Sequence, residues 1–227
     1  MVSQNSFLNL QNILKNLFCK NRINFIIQIG ANDGCRFDIL TSFIKDYKIH
    51  SLLVEPIIEN FNSLKKNYSD LEFVKLENSA ISLQGDILNL YKVKIEMIED
   101  YEKKYGEHIR GISSVYKKHL IKHGIKKNDI EKININTLTI SELLKKHNIL
   151  NFDLLFIDAE GYDANIAIDF LQQSKLRPII ILEYIHVENK KFVSLIDLLI
   201  TNKYVYFIID ENLVCFPSEK KHLIMFN

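Results

Sequence analysis

Glycine and proline are scarce in this chain, seven and three residues among 227, while 47% of the residues are apolar. So few chain breakers in so apolar a sequence exclude a largely disordered polymer and leave material for a sizeable core in one domain, residues 1–227. Cysteine is rare too. Cys19, Cys35 and Cys215 are odd in number, widely spaced and lack any Cys-x-x-Cys pair, which argues against a disulfide framework or a cysteine zinc site and fits a reducing, cytoplasmic setting. No apolar run approaches the roughly 20 residues of a membrane span. Charge of one sign is also missing: the formal net charge is +1, so the balance gives no argument for nucleic acid or an anionic membrane as a partner.

What is present is an alternation of helical and strand-like segments. Phe7, Leu8, Leu10, Ile13, Leu14, Leu17 and Phe18 recur at helical spacing without the continuous apolar centre of a signal peptide, which predicts an N-terminal helix within residues 1–22 that caps the fold. Phe25 to Ile29 reads as a strand, Phe37 to Tyr47 as a helix, Ser51 to Val54 as a strand, Ile58 to Tyr68 as a helix and Phe73 to Leu76 as a third strand. Phe152 to Ile157 and Pro178 to Leu182 are nearly continuously apolar, as strands covered on both faces are, with a helix from Ala164 to Gln172 between them. The fold class is α/β, with a mainly parallel sheet whose ligands sit at the C-terminal strand ends. Tyr204 to Ile209 and Leu213 to Phe216, joined by Asp210-Glu211-Asn212, predict a C-terminal antiparallel hairpin.

One segment breaks this rhythm. Residues 84–136 are rich in Lys, Glu, His and Tyr and too long for a simple connection, so they are expected to be an inserted, substrate-covering cap. Its expected parts are a strand at Ile87 to Val93, helical turns from Glu96 to Tyr105 and a helix near Val115 to His123. Thr139 with Glu142 then has the spacing of a capping box opening the next helix.

The chemistry-bearing residues cluster at predicted strand ends. Gly30-Ala31-Asn32-Asp33-Gly34 is a tight turn after the first strand, but its Gly-x-x-x-Gly spacing differs from the Gly-x-Gly-x-x-Gly of dinucleotide enzymes. Glu55, ahead of Pro56, closes the second strand where an acidic residue meets ribose hydroxyls, because a carboxylate accepts two hydrogen bonds from a vicinal diol. After the fourth core strand, Asp158 and Glu160 bring two carboxylates together, for proton abstraction or for holding a cation. Glu183, Tyr184 and His186 follow the next strand. In the cap, Ser113, Ser114, Tyr116 and His119, with His123, Lys126 and Lys127 beyond, suit an acceptor bearing hydroxyls and a phosphate, although a solvated basic helix face explains the lysines equally well. His119 and His123 share a helix face but lack a clear third metal ligand.

In order, Gln28-Ile29-Gly30-Ala31-Asn32-Asp33-Gly34, Val54-Glu55-Pro56, Asn78-Ser79-Ala80-Ile81-Ser82, Thr137-Leu138 and Asp153 to Asp163 resemble the motifs of the FkbM family of S-adenosylmethionine-dependent methyltransferases. Asp158-Ala159-Glu160-Gly161 is the most specific of them. The resemblance implies a Rossmann-like class I methyltransferase sandwich and O-methylation of a sugar, a nucleotide-sugar or a related metabolite, as in surface polysaccharide biosynthesis. By position it implies that Gln28, Gly30, Ala31, Asn32 and Gly34 border the methionine part of the cofactor, Glu55 and Pro56 the ribose, and Ser79 and Ala80 the adenine. Asp158 would face the methyl group, with Glu160 and His186 as further catalytic candidates and Tyr162 beside the acceptor. Gln28 departs from the acidic residue usual in the first motif, and Asp163 stands where the family commonly has Glu. An alternative mechanism gives Asp158 and Glu183 a magnesium or manganese ion. A small-molecule or nucleotide-sugar acceptor and a homodimer complete the expectation. Two rival classes stay open, a dinucleotide-dependent oxidoreductase and a non-catalytic cofactor-binding protein of the same fold.

Overall fold

The computed structural model describes residues 9–20, 22–36, 38–83, 87–106, 109 and 112–224. Phe7, Leu8, Phe37 and Gln84, used in the sequence reading, lie outside the described residues. Helix α1 (Leu10–Cys19) buries Leu10, Ile13, Leu14, Leu17 and Phe18, and Asn9 caps it by accepting the Asn12 N–H. Strand β1 (Phe25–Ile29) leads through the glycine turn to α2 (Thr41–Tyr47), β2 (His50–Val54), α3 (Ile58–Asn67) and β3 (Val74–Glu77). Helix α2 starts at Thr41, later than expected, and just ahead of it the Asp38 carboxylate accepts from the Leu40 N–H and the Thr41 hydroxyl.

The chain then leaves the main sheet through β4 (Ala80–Ile81), β5 (Ile87–Val93), α4 (Ile98–Tyr105), β6 (Ser113–Ser114) and α5 (Lys117–Lys122), and returns along β7 (Ile130–Leu138). Strand β7 pairs antiparallel with β5 along Ile130 to Asn136 and then parallel with β4 through Thr137 and Leu138, so the expected end of the cap at residue 136 falls inside one continuous strand. These strands form a second sheet of order β4-β7-β5-β6. The alternation Ile133-Asn134-Ile135-Asn136 is the period-two signal of β7.

Helix α6 (Ile140–Lys146) opens on the expected capping box, Thr139 and Glu142 exchanging side-chain and backbone hydrogen bonds. Strand β8 (Leu154–Ile157), α7 (Asp163–Gln173), β9 (Ile179–Glu183), α8 (Asn189–Thr201), β10 (Tyr204–Ile209) and β11 (Asn212–Pro217) complete the chain. Helix α8 was not among the expected elements, although Leu195 and Leu199, buried one turn apart, mark its inner face.

The main sheet has the order β10-β11-β9-β8-β1-β2-β3. The five strands from β3 to β9 run parallel, and the closing hairpin adds β11 antiparallel to β9, as expected of the α/β fold with an antiparallel C-terminal hairpin. Two apolar clusters cover its faces, one centred on Leu155, Phe170 and Leu199, the other on Phe18, Ile26 and Phe216. Burial on both faces is what makes β8 and β9 read as unbroken apolar runs. The strand order reverses between β1 and β8, so the connections leaving their C-terminal ends go to opposite faces of the sheet and open a crevice there. Among the described residues no helix is long and apolar enough to cross a membrane.

Candidate active site

The ends of β1, β2 and β8 meet at this crevice. The Asp158 N–H donates to the Ile29 carbonyl, and the N–H groups of Gly30 and Ala31 both donate to the Val54 carbonyl, locking the three strand ends together. Gly30 has φ +85°, and a Cβ there would lie 1.9 Å from the Asp158 carbonyl oxygen, so only glycine lets β1 turn beside β8. Gly34 serves a different purpose. With φ +64°, its missing Cβ would strike Leu64 and Tyr68, which places it against α3 and outside the cleft that the sequence reading assigned to it.

The cleft holds about 670 Å³ of space, partly open to solvent, and brings together Gly30, Glu55, Pro56, Ser79, Ala80, Ser113, Asp158, Glu160 and Tyr162 from the sequence-derived set. Its apolar walls, Ile81, Leu88, Leu90, Val115 and Ile166, were not singled out beforehand. Two of them, Leu88 and Leu90, belong to β5, so the inserted segment roofs the crevice. Gln28 and Ala31 are buried behind the lining, and Asn32 is half-buried on a neighbouring depression with Asp33, Arg36 and Ile57. The Gln28 amide donates to Asp38, Ala31 is buried in the core, and the Asn32 N–H donates to Glu55 Oε2 at 2.9 Å.

Glu55 is 4% exposed, and its other oxygen accepts the Ile57 N–H. Burial outweighs these hydrogen bonds and pushes its carboxyl up to about 7. The carboxylate has four lone pairs and meets three donors, the Asn32 and Ile57 N–H groups and the Asn60 side chain, so it keeps acceptor capacity for one more. Ser79 Oγ is buried and has no hydrogen-bond partner.

A tight turn carries the acidic pair. Glu160 and Gly161 take positive φ values of 49° and 93°, and the buried Asp163 carboxylate closes the turn by accepting the N–H groups of Ala159 and Gly161, both at 3.0 Å. Burial, ahead of the opposing hydrogen bonds, raises Asp163 to about 7. Asp158 is solvent-exposed where it opens onto the cleft, yet the protein packed densely around it first, and Glu160 next, push its carboxyl up to about 8. Glu183, closing β9, is raised to about 9 by burial and then by Asp158. Glu160 is held from the cap, since Ser114 Oγ donates to its carbonyl at 2.8 Å and His119 Nε2 lies 3.0 Å from its Oε2.

A side groove continues outward from Glu160 past Tyr116, His119 and His186, with Lys118, Lys122 and Lys191 on its rim. His186 and Tyr116 therefore lie at this entrance and not in the main cleft. Glu183 belongs to a close group of possible metal ligands with Glu160 and His186; among the described residues no such group includes Asp158, the partner expected for it.

The family model for the methyltransferase FkbM domain matches residues 28–208. Among solved structures, the chain is similar to the O-methyltransferase from Bacillus cereus in complex with SAH, with 10% identity over 93% of this chain and 82% of that one and a TM-score of 0.48. It is also similar to the ribosomal protein L11 methylase from Lactobacillus delbrueckii subsp. bulgaricus, with 11% identity over 90% of this chain, 75% of that one and a TM-score of 0.41. No curated protein matches it.

Proposed function

This chain belongs to the methyltransferase FkbM domain family and is an S-adenosylmethionine-dependent methyltransferase, and on that premise we propose that it methylates a hydroxyl of a sugar, a nucleotide-linked sugar or a related metabolite. The observation that carries this reading is the convergence of Gly30, Glu55, Ser79 and Asp158 in one cleft under a cap that is separate from the main sheet. The cleft suits the cofactor chemically. Glu55 keeps acceptor capacity for a ribose hydroxyl, the unpartnered Ser79 Oγ supplies a polar contact for a base, and Ile81, Leu88 and Leu90 offer flat apolar surface.

S-adenosylmethionine supplies a methyl group on a positively charged sulfur, so little activation of the electrophile is needed. With the cofactor bound, Asp158 and Glu160 would put negative charge beside its sulfonium, which would lower the raised Asp158 pKa and leave its carboxylate ready to act as a base. Asp158 takes the acceptor's hydroxyl proton as the oxygen bonds to the methyl carbon and the carbon–sulfur electron pair stays on sulfur. The cap excludes water, and Ser113 from the cap and Tyr162 from the turn after β8 hold the acceptor, with Tyr116 and His119 at the entrance. Assembly of surface polysaccharide in the cytoplasm is the setting we propose, in keeping with the free thiols of Cys19, Cys35 and Cys215.

Calorimetric titration with S-adenosylhomocysteine, followed by methyl-labelled S-adenosylmethionine and a nucleotide-sugar panel, tests the reading. Asp158→Asn is expected to bind the product cofactor yet lose about 10²-fold or more in kcat. Absence of S-adenosylhomocysteine binding at millimolar concentration removes the proposal altogether.

A further inference from the structure

We propose that His119, His123 and His186, with Glu160 as fourth donor, form a binding site for a divalent transition-metal ion at the mouth of the cleft. The residues come from three separate segments. His119 sits on α5 and His123 caps its end one turn later, Glu160 occupies the turn after β8, and His186 follows β9. The ring centroids of His119 lie 4.6 Å from those of His123 and 4.5 Å from those of His186, and the third pair is 5.6 Å apart. One donor nitrogen from each of the three rings lies within 4.8 Å of the others. His119 Nε2 is already 3.0 Å from Glu160 Oε2, and Glu183 Oε2 stands 3.8 Å from His186 Nε2.

Donors bound to a zinc-sized ion at about 2.0–2.2 Å must lie within about 4.4 Å of one another, so small side-chain rotations close this set. Three neutral imidazoles and one carboxylate suit zinc, iron(II) or a neighbouring first-row ion better than magnesium, which prefers oxygen. Ordinary ring packing accounts for one pair of histidines. It accounts less well for three imidazole nitrogens from separated segments within 4.8 Å of one another, with Glu160 and Glu183 forming a second close group around the same His186.

The position suggests the purpose. Glu160 lines both the main cleft and the side groove, so an ion held there stands between the groove and Asp158. The inference rests on the proposed methyltransferase reading for its role: the ion takes a hydroxyl or phosphate oxygen of the acceptor as a remaining ligand and holds that acceptor against the base. Lys118, Lys122 and Lys191 around the groove favour an acceptor with negative charge.

The test uses the full chain, stripped with a chelator and titrated with zinc or cobalt(II). One ion per chain is expected, with visible cobalt absorption bands typical of a low-coordinate nitrogen-rich site. His123→Ala and His186→Ala are each expected to weaken binding about tenfold or more, while His147→Ala, whose ring pairs with Glu77 elsewhere, leaves it unchanged. S-adenosylhomocysteine titration of each sample reports whether it is folded, and His123→Gln replaces any alanine variant that is not. No metal uptake in excess zinc, or uptake unchanged in the His123→Ala, His186→Ala double variant, overturns the site. If S-adenosylhomocysteine still binds, that failure leaves the methyltransferase reading standing.

Discussion

The seven-stranded sheet and the four-stranded cap are built on different physics. The sheet is closed on both faces by large clusters in which Ile26, Leu52, Leu155, Phe170 and Leu199 have essentially no exposure. The cap rests on two small clusters, one around Val93, Tyr101, Leu120 and Ile130 and the other around Leu90 and Ile135, and it leaves Ile87 and Ile95 exposed. A rigid floor can hold a constant cofactor, whereas a thinly cored roof can open for an acceptor and be rebuilt for a different one.

The largest expected effect attacks the floor where it is least forgiving. Gly30→Ala puts a Cβ 1.9 Å from the Asp158 carbonyl in a left-handed backbone, so we expect a loss above about 4 kcal/mol in denaturant unfolding, or no folded protein. A variant as stable as the parent would remove the close approach of β1 and β8 from the account.

A matched pair of truncations separates the two regions. Phe170→Ala should cost about 3–5 kcal/mol and shift a single unfolding transition, carrying S-adenosylhomocysteine affinity down with it. Leu120→Ala should split off an earlier transition of the cap and reduce acceptor turnover while cofactor binding survives. Equal loss of cofactor affinity in both would erase the distinction.

A gentler probe is pH. Asp158, Glu183, Glu55 and Asp163 all have raised folded-state pKa values, near 8, 9, 7 and 7, so the native chain holds protons that the unfolded chain has released. Their contribution to stability is therefore complete below the ordinary carboxyl range and is lost as pH rises through about 7 to 9. Tm should fall from pH 5 to pH 9, and Glu183→Gln should flatten that slope. Leu120→Ala should leave it unchanged, because all four acids lie outside the excursion between β4 and β7.

The same division decided what could be read from the sequence. Strands β8 and β9, the closing hairpin and the Thr139–Glu142 capping box carry local signals, in unbroken apolar runs, turn residues and fixed spacing, and these were legible. So was the acidic turn after β8, because it follows a buried strand directly. For Gly34 the sequence could not show the packing against Leu64 and Tyr68, because a glycine looks alike whether it spares a ligand or a neighbouring helix. Gln28 and Asn32, expected beside the cofactor, also steady Asp38 and Glu55 through their hydrogen bonds, a role no spacing announces. The histidine cluster was half visible, since His119 and His123 are one turn apart, but His186 joins them only through the packing of β9 beside β8.

The two-residue ladder joining Ala80 to Thr137 and Ile81 to Leu138 has a consequence for how such a molecule can change over time. The chain departs for the roof and comes back at adjacent positions, so whatever lies between is closed at its base whatever its length, and added residues cost only slowly growing loop entropy. A longer, shorter or transplanted roof can therefore be seated on those two pairs without stretching the sheet below, and a graft bounded by residues 82 and 136 is the natural unit for redesigning which acceptor enters.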